Sequence, residues 1–166
     1  MKPRISLNEG AALRVFSKQM PGHDIDDRTR LTRIRVTLLL FLWLGTAGML
    51  VELLLIGHYE DVLQWTPLAI MALSLVLLSW HARTPTAGVT RALTIAMMLL
   101  IAAAGLGVVF HYQGAREFQR EVDPSLSGFS LFWKTIRAKA PPALAPMALA
   151  GLGLAGFAYT LTTRRS

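Results

Sequence analysis

An all-α integral membrane fold, a bundle of four spanning helices, is what this sequence predicts, and three observations predict it. Crossing a hydrocarbon layer takes ~20 consecutive apolar residues, and four stretches approach that length, at about 36–57, 62–81, 91–112 and 142–162. Charge is excluded from their interiors: Arg91 stands at an edge, and Glu52 is the one formally charged side chain inside. Basic residues gather at alternate ends of the runs, the pattern that topology selection leaves. The 53% hydrophobic and 16% charged residues of this 166-residue chain are therefore clumped into spans rather than spread at soluble-core periodicity.

The first helix is expected to start at Asp24, Asp26 and Asp27, whose carboxylates meet unpaired amides and the positive dipole end, and to run to Gly57. Residues 1–25 stand apart as an N-terminal segment before a membrane domain at 26–163. Within that segment Ala12, Leu13, Phe16 and Met20 recur at helical spacing behind Ser6-Leu7-Asn8-Glu9, a capping-box pattern. Either a helix on the membrane surface or an unfolded tail satisfies this composition, and Pro21-Gly22 reads as its break. The first apolar run does not read as a signal peptide, because a polar leader precedes it and no Ala-x-Ala site follows.

Gln64-Trp65-Thr66-Pro67 opens the second span, with Pro67 read as a first-turn proline and Trp65 and Trp80 as interface aromatics. His81 to Gly88 reads as a short turn. The third span is expected from about Thr90 to Tyr112, projecting past the bilayer through Arg116, Glu117, Arg120 and Glu121. In the 113–140 loop, Phe129, Phe132, Trp133 and Ile136 recur at i, i+3, i+4, i+7, which predicts a short amphipathic helix for an interface or a docking partner.

The last span is rich in small residues. Its Gly151-Leu152-Gly153-Leu154-Ala155-Gly156 spells a dinucleotide fingerprint, but no strand precedes it and the run is apolar, so close helix packing is the reading. Gly45 and Gly48 make a comparable small face on the first helix.

Orientation follows from counting. The termini and the link between spans two and three carry twelve of the 17 Lys and Arg residues, and the other two links carry five. Both termini are expected in the cytoplasm, in a bacterial-type inner membrane, with the amphipathic helix outside. The net charge of +7 is accounted for by this bias, so nucleic acid is not an expected partner; the lipid bilayer and a membrane-protein partner or second copy are. The absence of cysteine excludes disulfides, thiolate metal sites and covalently attached haem.

One candidate site emerges at the outer ends of the odd helices, where Gly57-His58-Tyr59-Glu60-Asp61 is matched by His111-Tyr112. Downstream, Pro67 and Pro146 occupy comparable places in spans two and four, so the chain reads as a tandem repeat of two hairpins. In an up-down bundle, helices one and three lie on a diagonal. His58 and His111, with Glu52, Glu60, Asp61, Tyr59 and Tyr112, are therefore candidate ligand or proton-handling residues. The chemistries open to them are a metal ion, b-type haem between the two imidazoles, or a quinone-linked proton path. Beside these stands a plain structural role, since His and Tyr suit membrane interfaces. No cofactor is demanded by the residues, and no G-x-S-x-G or HExxH pattern points to an enzyme. The leading expectation is a non-catalytic accessory or structural subunit that packs laterally in a complex or homo-oligomer.

Overall fold

The computed structural model describes residues 21–138 and 143–163, and among these it contains five helices and no strand. They are α1 (Pro21–Leu55), α2 (Val62–Arg83), α3 (Ala87–Val122), α4 (Gly128–Ile136) and α5 (Leu144–Thr163). All but α4 are long and apolar enough to cross a membrane. The surface helix expected around Ala12 to Met20 lies outside the described residues, as do Lys139, the start of the fourth expected span, and Arg164 and Arg165.

The chain forms two compact units, Met1–Thr37 and Leu38–Ser166. In the first, one-turn contacts support the polar part of α1: Arg30 meets Asp26 at 3.2 Å, and the Thr32 hydroxyl donates to the Arg28 carbonyl. The second unit holds the bundle.

Several boundaries differ from expectation, each for a local reason. Helix α1 starts at Pro21, ahead of the three aspartates, because proline is preorganised for a first helical turn and has no amide to leave unpaired. It ends at Leu55 rather than Gly57. Helix α3 runs unbroken for 36 residues, about 54 Å at 1.5 Å per residue, so it outreaches a ~30 Å hydrocarbon layer. The Thr86 side chain starts it by accepting the Val89 amide. The turn before it is shorter than expected, because Pro85 forces Thr84 out of the helical region and α2 continues through His81 to Arg83. Pro67 sits in the second turn of α2, not the first, so the helix carries a missing amide there.

The core is built on α3, whose most extensive contact is with α5. Leu93, Met97 and Leu100 are fully buried on one stripe of α3 and share a core with Leu149 and Tyr159 of α5. Close approach depends on bare backbone: a Cβ on Gly153 would lie 2.9 Å from the Met97 carbonyl and 3.2 Å from the Ile101 amide, and one on Gly156 would collide with the Met97 side chain. Helix α1 packs antiparallel against α5, with Gly45 opposite Leu152 and Leu42 reaching Gly156. It is tied to α2 by the Trp43 indole, which donates to the Ser79 hydroxyl at 3.0 Å. Helix α2 packs on α3, which leaves α1 diagonal to α3.

The small residues of α1 and α5 therefore divide into two sets. Gly45, Gly153 and Gly156 serve internal packing, and Ala155 is half-buried against the core. Gly48 and Gly151 face open space, with nothing within 4 Å of where a Cβ would stand.

This division sets an expected contrast. Gly153→Ala should destabilise the chain by about 1–3 kcal/mol, because the Met97 and Ile101 backbone cannot yield as a side chain can. Gly151→Ala should be neutral or slightly stabilising through helix propensity. Unfolding titrations of the single chain in detergent, followed by circular dichroism, measure both.

Candidate functional site

The stretch after α1 is shaped by one glycine. Gly57 adopts φ +72°, a left-handed conformation that Gly enters freely and other residues enter at a cost of ~1–2 kcal/mol. With it the Gly57 amide donates to the Leu54 carbonyl and the His58 amide to the Leu53 carbonyl at 2.9 Å, the two bonds of a Schellman ending. His58 is thereby turned back over the last turn of α1.

His111 comes from α3, and the two imidazoles meet across the bundle diagonal. Their centroids are 6.0 Å apart and their planes lie 13° from parallel. Both rings border a cavity of about 60 Å³. Its walls are apolar and come from all four long helices: Met49 and Leu53 of α1, Pro67 of α2, Ala104 and Gly107 of α3, and Pro146 of α5 among them. The residues paired in the sequence reading, His58 with His111 and Pro67 with Pro146, all line this one half-open cavity. Gly107 lies one turn before His111, and its missing side chain leaves room for the Pro146 ring, 3.4 Å from where a Cβ would stand.

The remaining candidates are not drawn into this cavity. Asp61 is the N-cap of α2: its carboxylate accepts the Leu63 amide, while the Gln64 side-chain oxygen accepts the Asp61 and Glu60 amides. Glu60 and Tyr59 are exposed, and Tyr59 leans toward Trp65 at 6.2 Å. Tyr112 faces Phe132 of α4 at 6.1 Å. Glu52 is exposed on a different face of α1 from the buried Leu53. Among the described residues no three His, Asp or Glu side chains gather closely enough to share an ion.

Volume discriminates between the chemistries. Sites for organic ligands occupy about 300–1,000 Å³, so a cavity of about 60 Å³ has room for an ion or a water but not for a haem macrocycle or a quinone ring in this conformation. A larger hollow of about 590 Å³ lies between Trp43 and Trp80 with Arg83 at one end. It opens outward and contains no set of reactive groups.

Helix α4 seats Leu131 and Thr135, both buried, and packs on α3. Phe129, Phe132 and Trp133 stay exposed and cluster among themselves at 6.1 Å, with Ile136 half-buried. The loop before it is braced by Asp123, which accepts the Ser125 hydroxyl and amide and pairs with Lys134 at 3.8 Å. The Ser125 hydrogen bonds, ahead of the Lys134 charge, hold the Asp123 carboxyl below its ordinary range.

A second histidine site escapes a reading of the residues in order. His81 is 2% exposed, with Nδ1 3.1 Å from the Tyr159 hydroxyl and Nε2 3.1 Å from the Thr90 hydroxyl. Thr90 donates its own proton to the Thr86 carbonyl, so it accepts from Nε2–H, and in a neutral ring Nδ1 then accepts from Tyr159. This chain of hydrogen bonds ties α2, α3 and α5 together. The signal was present: Met71, Ser74, Leu78 and His81 continue one buried stripe at i, i+3, i+7, i+10.

Compared with known proteins, the chain matches no family model, no curated sequence and no solved structure.

The charge state of the His pair carries a pH dependence. Burial, and secondarily the neighbouring His111, push the His58 imidazole below its ordinary value of 6.5. The unfolded chain then binds the proton more readily than the folded one, so the contribution of neutral His58 is complete above pH 6.5 and is lost as pH falls below it. Thermal unfolding in detergent between pH 7.5 and 5 should show a falling midpoint, and His58→Asn should flatten that fall. A wild-type midpoint independent of pH in this window contradicts the assignment.

Proposed function

We propose that this chain is a non-catalytic subunit of a membrane assembly, held by lateral contact of α1 with a neighbouring helix. The observation that carries the reading is Glu52. Its carboxylate lies on the exposed stripe of Phe41, Leu44, Gly48 and Leu55, and it has no hydrogen-bond or ion-pair partner among the described residues. A carboxylate presented to hydrocarbon is costly unless something donates to it. Gly48, one turn away, offers bare backbone on the same stripe, the feature that lets two membrane helices approach closely. A neighbouring helix that brings a hydrogen-bond donor opposite Glu52 satisfies both features.

Two further faces support lateral packing. On α5, Ala148, Gly151 and Ala158 are exposed on the side away from Gly153 and Gly156. On α4, the exposed aromatic cluster suits a membrane interface or a docking partner. Twelve of the 17 basic residues at the termini and the α2–α3 turn favour cytoplasmic termini in a bacterial-type inner membrane, with the His pair and α4 on the outer side.

Assembly is tested in mild detergent and in bilayers. Light scattering and cross-linking of the wild type should give a species larger than one chain. Glu52→Leu should weaken it about tenfold, matching ~1–2 kcal/mol for an interhelical hydrogen bond, with helicity unchanged. A wild type that stays a single chain in both media, in its native membrane as well, contradicts the reading.

A further inference from the structure

We propose that His58 and His111 hold one monovalent copper ion at the mouth of the α1–α3 cavity, with the Met49 thioether as a third donor from the cavity wall. The site is independent of lateral assembly and uses none of the residues on the Glu52 stripe. Spacing is the first argument. An ion held by one nitrogen of each ring at about 2.0 Å puts the ring centroids about 6 Å apart when the three atoms are in line, and about 5 Å apart at a tetrahedral angle. The observed centroids are 6.0 Å apart, a spacing that fits, although the rings are stacked face to face with planes 13° from parallel, so their nitrogens must be turned toward one another. Turning one nitrogen of each ring toward the other takes rotation about Cβ–Cγ, a broad torsion for histidine.

Donor chemistry is the second argument and selects the ion. The cavity presents two imidazoles and one thioether, and no carboxylate lines it. Calcium and magnesium require about six oxygen ligands, and zinc almost always takes four donors. No third His, Asp or Glu joins the pair among the described residues. Copper in its monovalent state is stable with two nitrogens in line, or three donors when a soft sulfur joins, and soft thioethers select it. The third argument is size: about 60 Å³ suits a bare ion and excludes larger ligands.

The backbone prepares this geometry before any ion arrives. The left-handed Gly57 fixes the His58 amide on Leu53, and the rigid α3 helix fixes His111. What remains to be set on binding is the torsion of each ring, while the backbone on either side is already in place.

The test uses the full chain in detergent with ascorbate as reductant and a chromogenic copper(I) chelator as competitor. One equivalent of copper per chain should be retained. His58→Ala and His111→Ala should each raise the dissociation constant by at least about 100-fold, since outer-shell changes alone cost 10–100-fold. Met49→Leu should raise it about tenfold, the lower end of that range. Copper X-ray absorption of the wild type should show two nitrogen scatterers at about 2 Å and one sulfur near 2.3 Å. That measurement needs no variant, so a misfolded His58→Ala protein leaves the proposal testable. Substoichiometric retention, retention undiminished in the double His58→Ala/His111→Ala variant, or a copper shell without two nitrogens overturns it.

Discussion

The contact between Met97 on α3 and the bare backbone of Gly153 and Gly156 on α5 is the constraint on which the bundle depends. No hydrophobic driving force brings two helices together in lipid, so association rests on packing and interhelical hydrogen bonds. Where Gly153 passes Met97 there is no room for a side chain, since a Cβ there would lie 2.9 Å from the Met97 carbonyl oxygen. The same turn of α5 receives Leu42 of α1 at Gly156. Fixing α3 against α5 there also sets where their other ends lie. At the loop end, Gly107 meets Pro146 and closes the floor beneath the His pair.

The two ends of the bundle then differ in polarity. At the α2–α3 turn, His81, Tyr159 and Thr90 form a buried network in which both imidazole nitrogens have partners. Saturated in this way, the network specifies which helices meet, because any slip of α5 along α3 leaves polar atoms unpaired in an apolar setting. At the other end, His58 and His111 sit beside a void walled by Leu53, Ala104 and Pro146. The two rings stack at 6.0 Å. The imidazole at one end is tied into the bundle by hydrogen bonds, and the pair at the other end borders the cavity. In between, the Thr46 hydroxyl of α1 is buried with no hydrogen-bond partner among the described residues.

How much of this was legible in the sequence depended on range. The four spans follow from uninterrupted apolar length, a local property, and four helices long and apolar enough to cross a membrane overlap them. The small residues of α5 were recognised as a packing surface, but their division between an inner face with Gly153 and Gly156 and an open face with Gly151 requires the register of a second helix. Asp61 read as a ligand candidate because it is acidic and near His58; its carboxylate is occupied by the Leu63 amide, a role that three-residue spacing to Gln64 already indicated. His81 reads as a turn residue because it follows Trp80, although the buried stripe of α2 runs through it. The tandem repeat was a weak signal in residue identities. It acquires physical meaning once both His and both Pro positions line one cavity, since two similar hairpins packed about an axis bring equivalent residues to that axis.

Folding alone brings His58 and His111 together across the α1–α3 diagonal. Solid-state NMR of histidine-labelled protein in lipid bilayers reads this directly, because the chain contains four histidines and each can be assigned by substitution. A through-space correlation between the His58 and His111 rings, absent from either single variant and consistent with the 6.0 Å centroid spacing, is the expected result. Rings that give no mutual correlation, while the His81–Tyr159 contact is observed in the same sample, contradict the account.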